Sequence, residues 1–127
     1  HHIIISLIIY MSTANEDLMK EHGLLNRLLL IYEEIINRLQ NNITISNIII
    51  RDVAKLIRTF VEDYHETTEE LYVFPLLLKN NVNVILVNEL LGQHKLGRKL
   101  TDNIMRISLE LPLNKPELIK NIKYFEV

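Results

Sequence analysis

Three histidines lie within the body of the chain, His22, His65 and His94, and a carboxylate, Glu69, follows the second by four residues. Four residues is about one helical turn, so His65 and Glu69 would stack on one face of a helix. Imidazoles and a carboxylate on the apolar side of a helical bundle are costly to bury unless something there binds them. A metal ion is such a partner. The chain has no cysteine, which excludes disulfides, zinc–thiolate sites and iron–sulfur clusters. Any metal must then be held by imidazole and carboxylate, a donor set suited to iron, manganese or zinc.

The elements that must position these residues read as helices. A chain of 127 residues with 48% hydrophobic content is one domain, large enough to bury a core without staples. Its net charge of −2 and the lack of a Lys/Arg stripe argue against nucleic acid or an acidic membrane surface as partner. Glycine and proline number three each, so turns are few and elements long. The run from His1 to Tyr10 is apolar without periodicity and far too short to span a bilayer. It reads as tag or upstream sequence, with the domain from Met11 to Val127. The alternative, the tail of a secretory signal cleaved near Ser12-Thr13-Ala14, lacks a preceding Lys or Arg.

Thr13 and Glu16 form a capping box, and helix 1 runs from there to about Gln40. Its inner stripe is Leu18, His22, Leu25, Leu29, Tyr32, Ile36 and Leu39. Asn41-Asn42 ends it, and Ser46 or Asn47 caps helix 2. Helix 2 turns Val53, Ile57, Phe60, Tyr64 or His65, Thr68 or Glu69, Tyr72 and Leu76 inward, and Pro75 should loosen its last turn. Asn80-Asn81 breaks the chain. Asn83 caps helix 3, which presents Val87, Leu90, Leu91, His94, Thr101, Ile104 and Ile107 to the core. A second capping box, Asn114 with Glu117, opens helix 4 around Pro116.

Short loops make neighbouring helices antiparallel, so axial heights follow from the rise per residue. Measured from the end where helix 1 begins, His22 stands about 12 Å up, Glu69 about 15 Å, His65 about 21 Å and His94 about 15 Å. The four therefore gather near one level on three facing helices. Glu62, one turn before His65, could accept an imidazole N–H, and Tyr64 and Tyr72 could donate hydrogen bonds around the site. Tyr32 is a candidate donor of the same kind, and the plainer reading of all three tyrosines is a core aromatic whose hydroxyl reaches the rim. Glu66 and Glu70 read as solvated surface.

These residues resemble a known family. Glu16-Asp17-Leu18-Met19-Lys20-Glu21-His22-Gly23, then Tyr64-His65-Glu66-Thr67-Thr68-Glu69-Glu70 with Phe74-Pro75, then Leu91-Gly92-Gln93-His94 are similar to the hemerythrin-like HHE cation-binding domain. The resemblance covers about Asn15 to Val127. It implies an all-α, up-down antiparallel four-helix bundle holding a non-haem, usually di-iron, centre. It also implies that His22 and His65 bind one metal, that Glu69 bridges, and that His94 binds the second. Ferritin-like bundles differ, placing the carboxylate first in Glu-x-x-His.

One expected feature is missing: no His-x-x-x-Glu follows His94. This reads as truncation of the fourth helix, with a helix supplied by another copy or an absent second metal site as alternatives. An incomplete bundle would expose inner faces and favour a homodimer. The resemblance implies a cytoplasmic iron protein that binds or senses oxygen or another small diatomic ligand, or handles iron. An oxidative or iron-donating di-iron protein, and a metal-free interaction module, are the alternatives.

Overall fold

A computed structural model of the chain describes residues 16–79 and 83–126, with side chains from residue 22 onward in the first stretch. The Thr13–Glu16 capping box, the place of Leu18, the Asn80-Asn81 break and the segment 1–10 lie outside the described residues.

Helix α1 is Glu16–Gln40. It ends where Asn42 adopts a left-handed φ of 55°, which asparagine tolerates better than most residues. The Ile43 amide donates to the Arg38 carbonyl at 2.8 Å and the Asn42 amide to the Leu39 carbonyl at 3.4 Å, satisfying two of the last free carbonyls. Helix α2 starts at Asn47, capped by the Ser46 hydroxyl, which accepts from the Ile48 amide at 3.2 Å.

α2 runs over residues 47–78 but changes pitch. Asn47–Leu56 is α-helical, Ile57–Glu66 and Glu69–Val73 are wider π-helical turns, and Phe74–Leu78 returns to α. Pro75 falls in the first turn of that last segment, where a missing N–H costs little. Asn83 precedes α3, Val84–Ile107, without capping it by its side chain; the side-chain amide donates instead to the Leu77 carbonyl at 3.2 Å. Helix α4 is Lys115–Glu126, and the Glu117 amide donates to Asn114 Oδ1 at 3.3 Å. The Glu117 side chain turns toward Asn121, so only half of the expected capping box forms.

The four helices form the expected antiparallel bundle. α1 packs on α2 and α4, and α3 completes the ring between α2 and α4. Antiparallel sense is visible at both ends of the α2–α3 pair. Asn83 reaches the end of α2, and Arg51 near its start donates to the Ser108 carbonyl just past α3.

The main apolar core includes Leu25, Leu28, Tyr32, Ile35, Ile57, Val61, Leu100, Ile104, Leu118, Ile122 and Phe125. A smaller one is built of Phe74, Val87 and Leu90. Each large side chain so buried contributes about 1.5–3 kcal/mol. Between the two cores, α2 and α3 carry a band of buried polar residues. Several expected inward positions are corrected. On α1 Leu28 rather than Leu29 is buried, Leu91 is exposed, and Phe60, Tyr64, Tyr72 and Leu76 on α2 face outward.

Candidate metal centre

The polar band consists of His22 from α1, Glu62, His65, Glu66, Glu69 and Glu70 from α2, and His94 with Arg98 from α3. Its position follows from the pitch of α2. In turns wider than α, residues four apart stay nearly in line. One row, Glu62, Glu66 and Glu70, faces α3; the other, His65 and Glu69, carries the imidazole that meets His22 of α1. Nearly all of this acid-rich strip is buried.

On the α1 side the His22 and His65 rings lie 5.2 Å apart between centroids, and His65 Nε2 is 3.0 Å from Glu69 Oε1. On the α3 side His94 Nδ1 is 3.0 Å from Glu70 Oε1, and its Nε2 is 3.9 Å from Glu66 Oε2. A carboxylate only accepts, so the Glu70 contact places the His94 proton on Nδ1 and leaves Nε2 as a free donor of its lone pair. This carboxylate–imidazole pairing is the usual way a metal-binding histidine is oriented. Phe74 stacks on the His94 ring at 5.5 Å, fixing its plane.

Burial holds His22 neutral far into the acid range, with its pKa lowered to about 4, and the neighbouring His65 adds to the effect. His94 is likewise lowered, chiefly by burial, against the pull of Glu70. Burial raises Glu66 to about 9, with Glu62, Glu69 and Glu70 adding to the rise and Arg98 opposing it. Glu62 is raised by burial despite hydrogen bonds from Arg58 at 2.9 Å and from Thr101 at 2.8 Å.

The four sequence-predicted ligands, His22, His65, Glu69 and His94, are all buried in this one band. Among the described residues, however, no three His, Asp or Glu side chains converge closely enough to hold a metal ion as they stand. The donor chemistry still fits a cation. Both ring nitrogens of His22 and Nε2 of His94 are buried without a hydrogen-bond partner. Each such orphan costs about 1–3 kcal/mol unless a ligand satisfies it. Neutral imidazole nitrogens beside buried carboxylates are the donors that borderline cations accept.

The expected surroundings need correction. Tyr64 is 58% exposed and Tyr72 68% exposed, so neither hydroxyl belongs to the site. Glu62 is buried but holds Arg58 and Thr101, and Glu70 takes the imidazole role expected of it. Glu66, expected on the surface, is 1% exposed, and Glu70 is half-buried. Tyr32 is wholly buried with its hydroxyl unpartnered, and burial near Glu62 and Glu126 pushes its pKa up. Glu126, the acid nearest the chain end, lines a cleft with Asn26, Leu29, Leu30 and Glu33. The missed residues had one signal: acids at 62, 66 and 70 spaced by four, matched by Arg98 four after His94.

Residues 13–125 match the family model described as the hemerythrin HHE cation binding domain. An uncharacterized protein of Mycobacterium bovis and one of Mycobacterium tuberculosis are each 46% identical over 93 residues. The match takes in 73% of this chain and 36% of each relative, so the chain spans little more than a third of their length. No solved structure matches. Among the described residues no helix is long and apolar enough to cross a membrane.

Proposed function

The chain belongs to the hemerythrin HHE cation-binding family, and on that premise we propose that it is a non-haem iron protein that takes up or senses oxygen or another small diatomic ligand. The observation that carries this reading is the buried imidazole set: His22 and His94 present unsatisfied ring nitrogens in a band otherwise rich in carboxylates. His22, His65, Glu69 and His94 would hold the ion. Ferrous iron, once bound, supplies a redox-active centre with room for a small ligand.

The chain's own residues prepare that centre. Burial keeps His22 and His94 neutral at physiological pH, so no proton has to leave them before they donate. Glu70 orients His94 by its 3.0 Å contact with Nδ1, and Phe74 packs its ring. The apolar residues on either side of the band, Val61 and Leu100 toward one end and Phe74, Val87 and Leu90 toward the other, keep bulk water away. A shell led by histidine suits reversible uptake more than a carboxylate-rich one.

The test is anaerobic reconstitution of metal-stripped protein with ferrous iron, followed by exposure to oxygen and to nitric oxide. Stoichiometric iron and a visible absorption band that appears with the gas and fades on its removal are expected. Protein that takes up no iron overturns the reading.

A further inference from the structure

The outer face of α2 carries an apolar ridge. Leu56, Phe60, Tyr64, Tyr72 and Leu76 are between 41% and 68% exposed, and the steps along this series are multiples of four residues. Four residues overshoot one turn of α-helix and fall short of one of the wider turns. α2 contains both, over Asn47–Leu56, Ile57–Glu66, Glu69–Val73 and Phe74–Leu78, so the two drifts oppose each other and the side chains stand nearly in one line. Thr68 fills the remaining step. Its hydroxyl donates to the Tyr64 carbonyl at 2.6 Å, so covering it costs no hydrogen bond. An aligned ridge of this size marks a contact surface, unlike apolar residues scattered singly.

Order along the ridge points to its occupant. Read from either end it runs aliphatic, aromatic, then Tyr64 or Thr68, then aromatic and aliphatic again. A twofold axis across the helix near residue 66 therefore sets Leu56 against Leu76 of a second copy, Phe60 against Tyr72 and Tyr64 against Thr68. The small Thr68 falls beside that axis, where two crossing helices approach most closely. Charge follows the same symmetry. Asp52 and Lys79, both exposed, stand just beyond opposite ends of the ridge. Antiparallel copies bring the acid of one to the base of the other, whereas parallel copies oppose like charges.

Area agrees as well. The five side chains leave about 650 Å² open on each copy, about 1,300 Å² for a pair, which reaches the lower range of stable interfaces. A lipid surface fits less well. Asp52 and Asp63 share the exposed side of α2 with Lys55 and Lys79, a balance without the basic excess of a membrane-binding helix.

We propose that this chain forms a twofold homodimer in which the α2 ridges of two copies pack antiparallel. The contact lies on the outer face of α2, away from the inner faces that the helices cover for one another, and it stands independently of the metal reading. Because the ridge is exposed in the single chain, replacing its residues changes association and leaves the fold of the dilute chain intact.

Sedimentation equilibrium of the whole chain across the micromolar range tests this. A dimer with a dissociation constant inside that range is expected. Tyr64→Glu, which brings two carboxylates close to the axis, and Phe60→Glu should each weaken it by roughly a hundredfold or more, with circular dichroism unchanged. The chain has no cysteine, so an oxidised mixture of Phe60→Cys and Tyr72→Cys chains should yield the mixed disulfide in preference to either homodisulfide. A chain that is monomeric throughout overturns the inference, as does a dimer that neither Glu substitution weakens. Homodisulfides as frequent as the mixed one overturn the antiparallel pairing. A monomer that binds phosphatidylserine vesicles, and loses that binding in Phe60→Glu, assigns the ridge to a membrane and overturns the inference equally.

Discussion

Replacing Glu66 by glutamine keeps the side-chain volume and its polar atoms but deletes the acid. In the folded, metal-free chain this carboxyl is 1% exposed and held up to about 9, first by burial and then by Glu62, with Glu69 and Glu70 adding and Arg98 opposing. In the unfolded chain it ionises near 4.5. A folded pKa above the unfolded one means that the native state holds a proton the unfolded chain has released. Its contribution is fully present below pH 4.5 and is lost progressively as pH rises toward 9. Linkage bounds the loss by pH 8 at roughly 5 kcal/mol, and relaxation with water penetration brings it to about 2 kcal/mol. Glutamine carries no such term. Urea melts followed by circular dichroism, in the presence of a chelator, should therefore show Glu66→Gln more stable than wild type by about 2 kcal/mol at pH 8. The two should converge to within about 0.5 kcal/mol at pH 5. A variant destabilised equally at both pH values would refute the reasoning, because Glu66 would then be an ordinary satisfied carboxylate.

His22 has the opposite sign: its folded pKa of about 4 lies below the usual 6.5, so the unfolded chain takes up a proton first and stability falls as pH drops from about 6.5 to 4. The metal-free protein should lose about 1–3 kcal/mol over that window, and His22→Leu should flatten the loss in the same melts. Added Fe(II) at one hundred times its dissociation constant should stabilise wild type by about 2.7 kcal/mol, seen as a rise in Tm that His22→Ala and His94→Ala abolish. Tyr72→Ala removes an exposed side chain outside the band, so metal affinity by titration should be unchanged and stability should move by less than about 0.5 kcal/mol. Ile104→Ala opens a cavity in the main core and should cost about 2–5 kcal/mol in urea, without changing metal stoichiometry.

The bundle was legible because its local signals agreed with one another. Asn42 stops α1, Ser46 caps α2 and Asn114 opens α4, each by chemistry that depends on a few neighbouring residues. The histidines were legible because His22, His65 and His94 each sit within an apolar stripe and on helices whose heights could be counted. The face of α2 was not. Extrapolating spacing through Phe60, Tyr64, Tyr72 and Leu76 follows hydrophobicity, whereas the wider turns over Ile57–Glu66 and Glu69–Val73 turn the acids inward and these apolar side chains out. Glu66 and Glu70 read as surface because solvation is the ordinary fate of a glutamate. The guanidinium that compensates them, Arg98 on the facing helix, is 28 to 32 residues away in sequence. The band breaks the inside-apolar rule where the chemistry is concentrated, as functional sites tend to.

Anomalous diffraction at the iron edge, from crystals of the intact chain loaded anaerobically with Fe(II), asks the central question without an intermediary. The account predicts a strong peak bounded by His22, His65, Glu69 and His94. A map with no peak in that band, or with iron held only on the outer surface, would contradict it.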